Sequence, residues 1–148
     1  MVDRFMELAL EQASKCPQSE TAYSVGCIIV RHNAVISSGY SREADPKIHA
    51  EESALAKLGF KADNCIVYTT MEPCSRRASR PKACAQLILE SGARHVVYGC
   101  REPSFFVERC EGTELLKTRG IEVVELIEYR DAALVPNSHI GKQNQSKL

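Results

Sequence analysis

Tryptophan is absent from this 148-residue chain, and phenylalanine and tyrosine together make up only 6% of it. No apolar run approaches the roughly 20 residues that a membrane-spanning helix requires, so no membrane partner is expected. Charge of either sign is not in excess: 19 basic residues balance 19 acidic ones. A surface that tracks phosphates leaves a basic footprint, and single-strand binders add stacked aromatics, so nucleic acid is not an expected partner. Eight glycines and six prolines exclude a collagenous or low-complexity chain. The opening stretch MVDRFMELALEQ carries acids through its apolar residues, which is not the pattern of a secretory leader.

What is present is enough for one domain. A chain of this length buries about 70% of its unfolded surface on folding. Seven cysteines, an odd number without a secretory signal, point to reduced thiols in an intracellular compartment. The sequence ends Ser146-Lys147-Leu148, a tripeptide read as a peroxisomal address when it stands at a free end. A peroxisomal pool is therefore expected, with the cytoplasm as the alternative.

The pattern of segments indicates an α/β structure. Phe5, Leu8, Ala9 and Ala13 fall near helical spacing within Asp3 to Ser14. Val25 to Val30 reads as a buried strand, His32-Asn33 as a turn, and Ala34 to Tyr40 as the second strand. A helix opening at His49 ends near Gly59, followed by a strand over Cys65 to Thr70. Pro81 suits the first position of the next helix, which runs to Gly92. His95 to Tyr98 is the fourth strand, Glu111 to Arg119 a short helix, and Ile121 to Ile127 the last strand. This order predicts a five-strand mixed sheet with helices on both faces and its last two strands parallel. The domain is expected over residues 1–130, with 131–148 a polar tail that is unstructured from Val135.

Four residues carry the chemistry. His49, Cys74 and Cys84 offer one imidazole and two thiolates, a set that leaves the fourth tetrahedral position of a zinc ion open. Glu51 stands two places after the histidine. On a regular helix that offset turns the two side chains about 200° apart, so Glu51 flanks the metal as a proton carrier without binding it. His-x-Glu followed by Pro-Cys and a second cysteine is the constellation of the zinc-dependent nucleobase deaminases. Here the cysteines are spaced C-x9-C. A closed zinc knot, completed by one of the other cysteines or by His32, His95 or His139, is the alternative of another class: a non-catalytic interaction module.

Longer blocks narrow the match. Thr21-Ala-Tyr-Ser-Val-Gly26, Gly39-Tyr-Ser-Arg-Glu43, His49-Ala-Glu-Glu52, Thr69-Thr-Met-Glu-Pro-Cys-Ser75, Glu102-Pro103 and Phe106-Val107 resemble the fungal riboflavin-pathway deaminases within the cytidine and deoxycytidylate deaminase superfamily. The resemblance covers about residues 3–128. Deaminases of cytidine, dCMP and tRNA adenosine keep their two cysteines close, so the long spacing favours the riboflavin branch. Two positions depart from the pattern: Ala83 stands where proline is usual, and Ala22 where bacterial relatives have asparagine.

The resemblance implies a three-layer α/β/α fold and one zinc ion per chain. It implies hydrolysis of the 2-amino group of 2,5-diamino-6-ribitylamino-4(3H)-pyrimidinone 5'-phosphate to give 5-amino-6-ribitylaminouracil 5'-phosphate and ammonia. A stand-alone deaminase and a homodimer are the accompanying expectations, and a deaminase of another small pyrimidine nucleotide such as dCMP is the rival. For the substrate, Arg42, Arg76 and Arg80 are candidates for the phosphate, joined in the same charged stretch by Arg77 and Lys82. Glu102 and Ser104 follow strand four, where ligands meet open α/β sheets. Ala50, Ser24 and Tyr40 complete the candidate contacts, Tyr40 with Tyr23 as a stacking surface.

Overall fold

Five strands order as β2-β1-β3-β4-β5 in one sheet, where β1 is Gly26–Arg31, β2 Ala34–Tyr40, β3 Ile66–Met71, β4 His95–Cys100 and β5 Glu122–Glu125. The computed structural model describes residues 2–75, 81–103 and 111–140. β1 runs antiparallel to both neighbours, while β3, β4 and β5 are mutually parallel. All strands but β1 therefore point the same way, and the segments that follow β2, β3 and β4 emerge along one edge. Among the described residues no helix is long and apolar enough to cross a membrane.

The helices are α1 (Arg4–Ala13), α2 (Ala50–Ala56), α3 (Cys84–Ser91), α4 (Gly112–Thr118) and α5 (Arg130–Leu134). Alternation along β1 separates two cores. Cys27 and Ile29 pack with Ala54 and Leu55 of α2, Ile88 of α3 and Leu116 of α4, while Ile28 and Val30 pack with Met6 and Ala9 of α1. α5 closes the second face through Ala133 against Met71 and Cys100. Both faces of the sheet are thus covered, which is why its central strands read as continuous apolar runs. The three-layer arrangement is the one expected.

Local signals explain most boundaries. Asp3 caps α1 by accepting from the N–H groups of Phe5 and Met6, both at 3.0 Å. His32 and Asn33 take φ of 50° and 62°, the positive pair that a two-residue hairpin turn needs. Gly39 sits so close to α2 that a Cβ there would lie 2.5 Å from the Ala50 carbonyl oxygen and 2.6 Å from the Ala54 nitrogen. Its missing side chain lets the start of α2 lie directly on β2.

Several expected boundaries move. Met6, with Ala9 and Ala13, forms the buried stripe of α1, whereas Phe5 and Leu8 are half-buried at its sides. The helix expected from Pro81 begins at Cys84, because Ala83 is still extended (φ −73°, ψ 161°). The helix expected from His49 to Gly59 spans Ala50–Ala56, with His49 as its N-cap. The last strand is Glu122–Glu125, ahead of a 3-10 turn at Ile127–Tyr129. Among the described residues, 135–140 are packed against the domain: Val135–Asn137 form another 3-10 turn, and Asn137 and Ile140 are buried. Polar composition suggested a free tail, but the Asn137 side chain pairs with the backbone of Ser24. The targeting tripeptide lies outside the described residues.

Candidate metal centre and catalytic carboxylate

The N-terminal ends of α2 and α3, with the stretch after β3, deliver the candidate donors. His49 precedes α2 with extended backbone (φ −89°, ψ 160°), and its N–H donates to Glu52 Oε1 at 3.3 Å. It therefore lies outside the helical rotation, and the 200° offset expected between His49 and Glu51 does not describe the site. What separates them is the turn of the chain at the cap: His49 reaches toward the cysteines, and Glu51 occupies the first turn of α2.

Cys74 follows β3 after Glu72 and Pro73, and Cys84 opens α3. The His49 Nδ1 atom lies 3.6 Å from Cys74 Sγ and 3.4 Å from Cys84 Sγ. All three donor atoms fall within 4.8 Å of one another. A tetrahedral zinc with bonds of about 2.3 Å to sulfur and about 2.0–2.1 Å to nitrogen separates those ligands by roughly 3.6 Å. The site fits a zinc ion as it stands. Among the described residues no fourth His, Cys, Asp or Glu joins the group.

Electrostatics follow from the packing. The Cys74 thiol is pushed down to about 4, first by its hydrogen bond with Cys84 and then, against the opposing effect of burial, by His49. Its sulfur also accepts the backbone N–H of Cys84 at 3.3 Å. The thiolate thus caps the start of α3, where a helix terminus favours negative charge. Glu51 is buried, and burial followed by the nearby Cys74 charge pushes its carboxyl up to about 7. A carboxyl poised there can both take and give a proton at neutral pH.

The substrate candidates divide into groups. Ala50 is fully buried beside His49, Tyr40 is half-buried at the end of β2 opposite Gly26, and Glu102 is half-buried just after β4, its charge felt at Glu51. Ser24 is buried, and its hydroxyl accepts from Arg42 Nη2 at 2.6 Å. Arg42 also donates to the carbonyls of Pro17 and Tyr23. Four of its five N–H donors are thereby bound within the chain, where it braces the segment leading into β1. Tyr23 donates to the Pro103 carbonyl at 2.7 Å, tethering that segment to the one after β4. Arg76, Arg77, Arg80 and Ser104 lie outside the described residues.

Two residues had not been singled out. Glu72 is buried, and it accepts from the Glu102 N–H and from both the N–H and the hydroxyl of Thr113. Asn137 pairs at two points with Ser24. The signal for Glu72 was a carboxylate at the end of an apolar strand, since such a group is rarely buried without partners. For Asn137 there was none, because its partner lies 113 residues away.

Comparison with known proteins agrees with this geometry. The description "cytidine and deoxycytidylate deaminase zinc-binding region" matches residues 1–100, which include all three donors and Glu51. The chain is 41% identical to the diaminohydroxyphosphoribosylamino-pyrimidine deaminase of Schizosaccharomyces pombe, over 89% of this chain and 34% of that protein. It is 36% identical to a protein of the same name from Buchnera aphidicola, over 79% of this chain and 78% of the relative. The solved structure of RibD from Acinetobacter baumannii matches with a TM-score of 0.80 at 31% identity, covering 93% of this chain and 38% of that one. The chain thus spans about a third of the length of the yeast and Acinetobacter proteins. On its donor set, its fold and these likenesses, the chain belongs to the cytidine and deoxycytidylate deaminase family, among the riboflavin-pathway deaminases.

Proposed function

We propose that the chain is a zinc-dependent hydrolase that removes the 2-amino group of 2,5-diamino-6-ribitylamino-4(3H)-pyrimidinone 5'-phosphate. The observation that carries this reading is the three-donor group with a buried, non-ligating carboxyl beside it. His49, Cys74 and Cys84 would hold the zinc, which when bound supplies the Lewis acidity that makes water a nucleophile near neutral pH. Glu51 takes a proton from the attacking water and delivers it to the ring nitrogen next to C2. It then takes the remaining proton from the hydroxyl now on C2 and passes it to the amine as the C2–N bond breaks. Water oxygen remains on C2 as the new carbonyl, and ammonia leaves.

The names of the relatives support a phosphorylated pyrimidine as the substrate. Glu102 accepts from its amino groups in this reading, with Ala50, Ser24, Tyr40 and Ser104 lining the ring and ribityl chain. Since Arg42 is held internally, Arg76 and Arg80 take the phosphate. The reading extends to a homodimer, tested by light scattering in solution. It extends also to a peroxisomal pool, tested by whether a fluorescent fusion keeps its location when Leu148 is deleted.

Steady-state assays on the ribitylamino pyrimidine, its ribosylamino precursor and dCMP, each with and without a chelator, test the activity. The ribitylamino compound is expected to give the highest kcat/KM, with turnover lost on chelation. Preference for dCMP overturns the substrate. Absence of turnover on all three, in zinc-loaded protein, overturns the catalytic reading.

A further inference from the structure

One carboxylate holds both flanks of the segment between β4 and α4. Glu72 Oε1 accepts the N–H of Glu102 at 3.3 Å, and Oε2 accepts the N–H of Thr113 at 3.1 Å and its hydroxyl at 2.6 Å. Glu72 also donates its own N–H to the Cys100 carbonyl at 2.8 Å, extending the pairing of β3 with β4 by a residue. The side chain is 1% exposed, and Arg101 Nη1 stands 4.0 Å from Oε2 at its outer side. Thr113 is held from the far side too, since its hydroxyl lies 3.1 Å from Tyr98 Oη.

This arrangement has more acceptors than a structural bond needs. Two oxygens of one group serve three donors from two separate stretches of chain, and only an ionised carboxylate is acceptor-only at both atoms. Glutamine offers one acceptor oxygen and an amide that would face an N–H, so it can keep one flank and must release the other. The stretch held at Oε1 carries Glu102, which follows β4 at the same end of the sheet where Cys74 follows β3, Met71 and Cys100 being paired in the parallel register. Its next residue, Pro103, is held from the opposite side by the Tyr23 hydroxyl.

We infer that Glu72 is a positioning residue that fixes Glu102 at the substrate site, coupling the loop that carries Cys74 to the segment that reads the pyrimidine. The inference rests on the proposed pyrimidine deaminase activity. It predicts that Glu72 acts on substrate affinity through Glu102, while the zinc donors on the other side of Pro73 stay in place.

The test is a double-mutant cycle of Glu72→Gln with Glu102→Ala in the zinc-loaded full chain. Zinc stoichiometry, unfolding temperature and both kinetic constants are measured on the same preparations. Leaving a buried N–H without its acceptor is a loss large enough to expect a KM roughly tenfold higher or more for E72Q. Zinc content should be unchanged, and the second substitution should add almost nothing in the Glu102→Ala background. An unchanged KM, penalties that multiply, or a fall in zinc content without a KM effect each overturn the inference. Should E72Q not fold, Glu72→Asp keeps a carboxylate but draws it back by one methylene from the Glu102 N–H, and the same KM and cycle criteria decide. Inactivity of the wild-type protein on every pyrimidine sinks the activity itself, an outcome separate from a normal KM in an active E72Q.

Discussion

The backbone N–H of Cys84 points at the sulfur of Cys74, 3.3 Å away, so one candidate metal donor caps the helix that begins with the other. Ala83, the N-cap residue, makes no side-chain hydrogen bond to that helix. The sulfur does the work usually given to a serine or aspartate oxygen, and it does so best as a thiolate.

Zinc-stripped protein should therefore carry an ionised Cys74 well below neutrality. The group is pushed down to about 4 from an ordinary value of 9.0, first by the Cys84 hydrogen bond. The folded state holds fewer protons than the unfolded one between those values. The stability this group contributes is complete above the unfolded value and is lost as pH falls toward 4. Thiolate absorbance near 240 nm, followed from pH 8 down to pH 3, should persist to about pH 4 and vanish in Cys74→Ser. Loss of that signal already at pH 7 contradicts the capping role.

Glu51 has the opposite sign. Its folded value of about 7 exceeds the ordinary 4.5, with burial the main cause. Between those values the folded, zinc-free state keeps a proton that the unfolded state has released. Stability from this group accordingly falls as pH rises from 4.5 to 7, by about 3 kcal/mol in all. Glu51→Gln removes the dependence, so in zinc-stripped protein its advantage over wild type should grow from pH 5 to pH 7.5 in urea unfolding. In zinc-loaded protein the same substitution should keep one metal per chain and lower kcat by about 100-fold or more, the usual worth of a positioned acid-base group. Wild-type turnover in a zinc-loaded Glu51→Gln protein removes Glu51 from the chemistry.

The grouping of His49, Cys74 and Cys84 was legible because few side chains can bind zinc, and the His-x-Glu and Pro-Cys pairs single these out. The sheet was legible for a related reason, since β1 and β3 are buried along nearly their whole length and carry mainly apolar residues. The start of α3 was misplaced because Pro81 is a good local signal, whereas the true boundary is set by a sulfur ten residues before Cys84. Arg42 illustrates the other limit. A cation near the site suggests an anion, but nothing local reveals that its donors are held by Pro17, Tyr23 and Ser24. Long-range polar pairing leaves no periodic trace in a sequence.

Asn137 is the strongest case of such pairing, and it can be tested directly. Its Oδ1 accepts the Ser24 N–H at 2.6 Å and its Nδ2 donates to the Ser24 carbonyl at 3.0 Å, as a neighbouring strand would. Nδ2 also lies 3.4 Å from the Ala133 carbonyl. Asn137→Ala leaves a buried N–H and carbonyl unpaired, at a cost of about 2 kcal/mol. For a chain of this size that corresponds to an unfolding temperature lower by roughly 5 °C. Asn137→Asp should be worse, although it keeps the acceptor for Ser24, because a carboxylate oxygen then faces two carbonyls in a buried site. Calorimetry on the two variants ranks them, and an aspartate variant as stable as wild type would show that residues 135–140 do not hold the start of β1.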